Sequence, residues 1–149
     1  MAVWRPVQTI RVKALGLHWR DGKLLAAEVK CDDGEIKGVR PLGGSVEFGE
    51  VWQGALLREF QEELGIDVRI ISAPTVIENL YTHEGSQGHE IIFVAEVAFP
   101  TGAFAGEDSI EFFEDNGTKC VARWFDLKDL ESREIPLFPE GIAAKILIR

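Results

Sequence analysis

The segment from Gly44 to Ile66 constrains this chain more than any other, because it sets glycines beside a helical register that carries acids at helical spacing. Residues 51 to 64 contain no proline and one glycine. Leu56, Leu57, Phe60 and Leu64 fall within roughly 100° of arc at about 100° per residue, which predicts an amphipathic helix. Gly65 follows at once as a C-cap. On that helix Glu59, Glu62 and Glu63 stand at i, i+3 and i+4, so their carboxylates share one face. The expectation is a helix with an apolar back and three acids in front.

Three like charges at that spacing repel, at about 0.2–0.5 kcal/mol per adjacent pair even when exposed. A hard divalent cation reverses the sign of that interaction, since Mg2+ prefers carboxylate oxygens and also bridges substrate phosphates. The alternative is a solvated acidic helix face. The surroundings favour the cation. Gly43 and Gly44 allow a close backbone approach, and Gly49 permits a tight bend before the helix. Glu50 lies near the helix start, where the macrodipole favours negative charge. Arg58 offers a planar fork that can hold a carboxylate in place.

The same residues resemble the Nudix box, Gly-x5-Glu-x7-Arg-Glu-U-x-Glu-Glu-x-Gly-U, with U a bulky apolar residue. Gly44, Glu50, Arg58, Glu59, Glu62, Glu63 and Gly65 fill its fixed positions, and Phe60 and Ile66 its apolar ones. At background frequencies of about 7% each, such a match arises by chance in roughly one protein of this length per million. The resemblance implies an α/β fold, an α/β/α sandwich with a mixed β-sheet between helices. It implies hydrolysis, with Mg2+ or Mn2+, of a pyrophosphate bond in a nucleoside diphosphate linked to another moiety. ADP-ribose, a dinucleoside polyphosphate, a nucleotide sugar and a (d)NTP are all candidates. Carried onto this chain, Glu59, Glu62, Glu63 and the Gly43 carbonyl would be the metal ligands, with Glu50 and Arg58 orienting them through a salt bridge. Glu59 is the first choice as general base, and Glu111 or Glu114, from the later acidic loop, could act as base or extra ligand. One departure is Pro41-Leu42-Gly43-Gly44 where many relatives have Pro-Gly-Gly, which bears on the Gly43 contact.

Substrate signals are thinner. Tyr81 stands about where diadenosine-polyphosphate hydrolases of the family carry a base-stacking tyrosine, although a tyrosine at a strand end also packs structurally. The proline expected of ADP-ribose pyrophosphatases has no counterpart, Pro74 being too close to the box, and the coenzyme A signature is absent. Arg40 and Phe48 flank the box turn and could touch phosphate and base. His83 and His89 are expected in a loop with turn chemistry, and Trp4 and Trp19 in packing roles.

Composition narrows the partners. With 25 acidic and 16 basic residues the formal net charge is −9, which argues against a nucleic acid polymer as partner. A small phosphorylated substrate remains compatible if cations lie between the two sets of negative charges. Cys31 and Cys120 are far apart in no metal-ligand spacing, and the N-terminus, Met1 to Pro6, has no apolar signal core. The apolar run Ile91 to Phe99 contains Glu96 and is too short to cross a bilayer. A single domain over residues 1–149 is expected, cytoplasmic and without a membrane partner; a homodimer is left open.

Along the chain, strands are expected at Thr9 to Trp19, Leu24 to Lys30, Gly38 to Gly44, Val68 to Ile71, Thr75 to Tyr81, Glu90 to Phe99 and Lys119 to Phe125. Arg20 to Lys23 reads as a hairpin turn, Cys31 to Gly34 as a loop, and Gly43-Gly44 as a turn. Thr101 to Thr118 reads as an acidic loop, Leu127 to Leu130 as a helical turn, and Pro139 to Ile148 as a closing helix. Two other classes of function compete. One is a catalytically silent nucleotide- or metal-binding regulatory module on the same fold; the complete set of box glutamates speaks against it. The other is an acidic interaction domain whose helix merely resembles the box.

Overall fold

A computed structural model describes residues 3–147. Its centre is a mixed sheet in the order β5-β7-β1-β4-β3-β9-β8, with β6 on β7 and β2 on β3. The strands are β1 (Ile10–Leu17), β2 (Trp19–Arg20), β3 (Lys23–Lys30), β4 (Ile36–Ser45), β5 (Arg69–Ile70), β6 (Thr75–His83), β7 (Ser86–Ala98), β8 (Ser109–Phe113) and β9 (Lys119–Phe125). The pair β1–β7 is parallel and the remaining pairs are antiparallel. Helix α1 (Trp52–Leu64) covers one face, and α2 (Leu127–Ser132) and α3 (Ile142–Leu147) cover the other. Strand alternation makes these two faces. Ala14 and Leu25 join Leu56 and Phe60 on the α1 side, whereas Leu15, Leu17 and Leu24 meet Ile142 and Ile146 of α3. Among the described residues, no helix is long and apolar enough to cross a membrane.

Two hairpins follow from turn chemistry. Asp21 and Gly22 have φ of 51° and 77°, and Glu84 and Gly85 have φ of 51° and 82°, the paired positive values that two-residue hairpins need. The second hairpin corrects an expectation. Tyr81 to His83 and His89 are not loop: β6 runs to His83 and β7 begins at Ser86, so only Glu84 and Gly85 form the turn. His83 is thereby buried inside a strand. A further strand, β8, lies in the stretch expected to be acidic loop. Ile110 and Phe112 point into the α1-side core while Glu111 and Phe113 are exposed, a period-2 pattern too short to stand out among acids. The closing helix starts at Ile142 rather than Pro139, and Ile148 lies outside the described residues.

Gly43 and Gly44 also differ from expectation, since they lie within β4 opposite Leu15 and Ala14. Pro41, paired with Ala26, sits where β4 stops pairing with β3 and starts pairing with β1, so the missing N–H breaks no continuous ladder. A Cβ on Gly43, whose φ is 151°, would stand 2.0 Å from the Ala14 carbonyl oxygen. On the α1 face a Cβ on Gly16 would stand 2.7 Å from the Phe60 ring. Helix α1 therefore rests on a patch of sheet made of Ala14, Gly16 and Gly44, close enough for Phe60 to be 1% exposed. Phe60→Ala would leave a cavity there and is expected to lower unfolding free energy by about 3–5 kcal/mol, read from urea denaturation with an unchanged m-value.

Candidate active site

Helix α1 does not carry its acids on the face opposite its apolar residues. Ala55, Leu56, Glu59 and Phe60 are its buried residues, whereas Leu57, expected inside, is 40% exposed. Glu59 is thus on the inner face, 5% exposed, and its carboxylate lies on the α-carbon of Gly44: a Cβ there would stand 2.2 Å from Glu59 Cδ. The glycine supplies the space. Glu63, one turn on from Glu59 along the helix, is half-buried, and Glu62 is exposed.

Arg58 ties this group together. Its Nε and Nη2 each donate at 2.8 Å to the two oxygens of Glu50, a bidentate pair. Nη1 donates to Glu59 at 3.0 Å and to Glu62 at 3.3 Å, and Nη2 also donates to the Ser45 carbonyl at 2.9 Å. Glu50 further accepts from the Glu47 N–H at 2.9 Å. These bonds hold the Glu50 carboxyl at about 2, well below the usual carboxylate range, with Arg58 the main cause. One guanidinium thus serves three carboxylates, which leaves the group with excess negative charge.

The excess appears in the titration of the inner acids. Burial pushes the Glu59 carboxyl up, against the pull of Arg58. Glu63 is pushed up to about 9, first by burial and then by Glu59, Glu114, Asp115 and Glu62. Glu59, Glu62 and Asp115 each bring an oxygen within 4.8 Å of the others. Asp115, in the β8–β9 turn, thus joins two of the expected acids, Glu59 and Glu62. Glu63 lies among Glu59, Glu114, Asp115 and Glu62, and near Cys120, whose thiol is pushed up to about 12 by burial and by Glu114. Three carboxylates, one of them buried and crowded by other acids, suit a small hard cation with oxygen ligands. Gly43 sits one residue before the Glu59 cradle, with its backbone fixed by the β1 pairing.

The remaining expected residues, Glu114 apart, are dispersed. Glu111 stands on the outward side of β8, ion-paired with Lys119, because alternation turns it away from Ile110 and Phe112. Glu114 closes the β8–β9 turn through its backbone bonds with Gly117 and Thr118. Phe48 packs on nothing; its side chain is fully exposed in the loop before α1. The Tyr81 ring covers Gly88, its cross-strand partner, where a Cβ would stand 2.2 Å from Tyr81 Cζ. Arg40 donates to the buried Glu90 at 3.3 Å. Asp115 does not stand out in the sequence because it lies among Glu107, Asp108, Glu111 and Glu114, and spacing alone does not choose between them.

The NUDIX domain family model matches residues 9–145. No curated protein matches the chain. Among solved structures, the chain is similar to a MutT NUDIX hydrolase from Burkholderia pseudomallei, at 22% identity and a TM-score of 0.54, covering 81% of this chain and 86% of that one. A NUDIX hydrolase from Nitrosomonas europaea is similar at 20% identity and a TM-score of 0.52, covering 87% and 78%. An ADP-ribose pyrophosphatase from Streptococcus suis is similar at 17% identity and a TM-score of 0.51, covering 87% and 81%.

The Glu63 carboxyl fixes a pH dependence. Its folded value, about 9, lies above the ordinary 4.5, so the folded chain holds a proton that the unfolded chain releases. Stability from this group is complete below about 4.5 and is lost as pH rises towards 9. In EDTA the melting temperature should fall from pH 5 to pH 9, and Glu63→Gln should flatten that slope in a thermal melt series.

Proposed function

The chain belongs to the NUDIX family, and from that premise we propose that it is a pyrophosphohydrolase, cleaving the pyrophosphate bond of a nucleoside diphosphate linked to another group with a divalent cation held by Glu59, Glu62 and Asp115. The observation that carries this is the meeting of those three carboxylates beside a single arginine already committed to Glu50. Their oxygens fit Mg2+ or Mn2+ by chemistry and spacing. Such an ion, when bound, supplies positive charge to offset the phosphate oxygens and acidifies a water molecule.

The chain's own residues do the rest. Arg58, fixed by Glu50, holds Glu59 and Glu62 in register, so neither must be reoriented when substrate arrives. Glu59, raised by burial, is the first choice to accept the proton of the attacking water, since a base works best when its pKa lies nearer the ambient pH. Glu63, beside Glu59 and Asp115, would join them as a further ligand, giving up the proton that burial keeps on it. Phe48 offers an uncovered aromatic ring near the box, suited to stacking on a nucleobase. We read residues 1–149 as one catalytic domain acting on a small nucleotide in the cytoplasm. Likeness in fold to an ADP-ribose pyrophosphatase puts ADP-ribose on the first panel, with dinucleoside polyphosphates, nucleotide sugars and (d)NTPs.

Turnover of at least one of these with Mg2+ or Mn2+ is expected. Asp115→Asn and Glu62→Gln should each lower kcat at least about tenfold and weaken Mn2+ binding. Nucleotide binding without turnover across the panel would replace the enzyme with a silent regulatory module. An Asp115→Asn protein with full activity would remove Asp115 from the site.

A further inference from the structure

Beside the acidic group lies an opposite one. Arg11 and Lys13 alternate along β1 on the face that carries Leu15, away from α1. Lys13 pairs across to Ser45 of β4, and Arg11 to Glu90 of β7, whose own neighbour on β6 is Asn79. Glu90, 2% exposed, accepts from Arg40 and from Asn79, each at 3.3 Å. Among the described residues, three cations thus gather around one carboxylate, in a chain whose net charge is −9.

Those cations are short of acceptors. Arg11 donates to the Ser45 hydroxyl at 2.9 Å, a neutral partner. The Nε of Arg40 is buried with no hydrogen-bond partner. Lys13, half-buried, makes no hydrogen bond or ion pair among the described residues, and burial together with Arg40 and Arg11 brings its ammonium down to about 8. Its neighbours along and across the sheet are Leu15 and Ile92, so packing alone would be served better by an apolar side chain. A crowded, under-partnered set of donors costs stability unless an anion completes it.

The position says which anion. Ser45 joins the two groups directly: its hydroxyl accepts from Arg11 and its carbonyl from Arg58, each at 2.9 Å. Ala14 and Gly44, on which Glu59 rests, pair next to Lys13 and Ser45, and the field of Glu59 reaches Lys13. We propose that Lys13, with Arg11 and Arg40, forms an anion subsite that takes a phosphoryl group of the substrate, while the acids at 59, 62 and 115 hold its cation. The identity of the ligand rests on the pyrophosphohydrolase reading; the need for an anion rests on the cation cluster alone. Lys13 acts here as a binding residue, and its place in the sheet is retained at a cost in stability.

Titration calorimetry on the full chain in EDTA, with inorganic pyrophosphate as probe, tests this. Wild type should bind, Lys13→Met should bind at least about tenfold more weakly, and Lys13→Arg should stay within about threefold of wild type. Lys13→Met should melt no lower than wild type without ligand, because an uncompensated buried charge is gone; Lys13→Gln serves as a second variant if it aggregates. Failure of wild type to bind pyrophosphate, or equal binding by Lys13→Met, overturns the subsite. So does a lowered melting temperature with unchanged affinity, the mark of a structural lysine. Mn2+ affinity, measured separately, should be unchanged in Lys13→Met. A wild type that ignores Mn2+ yet shows the pyrophosphate pattern would sink the hydrolase reading and leave the subsite standing.

Discussion

The contact on which this molecule depends is that of a carboxylate with a glycine backbone. Glu59 points from the inner face of α1 onto Gly44, and nothing larger than hydrogen fits on that α-carbon. A carboxylate removed from water in this way is costly unless it is bonded and charge-compensated. Arg58 meets part of the need, but the same guanidinium is bidentate on Glu50 and also serves Glu62. The deficit spreads outwards, to Glu63 with its proton held to about 9 and to Asp115 beyond it.

The sheet is adapted to this arrangement. Ala14, Gly16 and Gly44 make a shallow seat for the helix, and Phe60 fills the part of it not taken by Glu59. Strand β4 changes partner at Pro41, from β3 to β1, and this change brings the two glycines opposite Ala14 and Leu15. Ser45 then stands between the acids and the cations, bonded to Arg11 through its hydroxyl and to Arg58 through its carbonyl. A substrate with a polyphosphate centre is complementary to such a field, since its charge is drawn to the cations directly and to the acids through a metal.

Much of this was legible in the residues. Helix α1, its αL cap at Gly65 and the box acids follow from local spacing, which a helix of 13 residues converts into geometry with little freedom. The salt bridge of Arg58 with Glu50 was also legible, through resemblance. Other parts were not. Leu57 and Glu59 exchanged inside and outside because spacing fixes the angle between residues on a helix, not which face meets the sheet; the glycine seat decided that. Strand β8 was hidden because Ile110 and Phe112 are only two inward positions among acids. His83 was misplaced because the Glu84-Gly85 hairpin is two residues long and the sequence around it is polar.

The chain by itself determined the helix, most of the strands and the kinds of atom available to bind a cation, because these depend on contacts a few residues apart. Only tertiary structure decided that Asp115 joins Glu59 and Glu62, and that Arg11, Lys13 and Arg40 meet around Glu90. Both groupings join strands and turns far apart in sequence. Their members become neighbours only once strand register is set, and register is a property of the whole sheet.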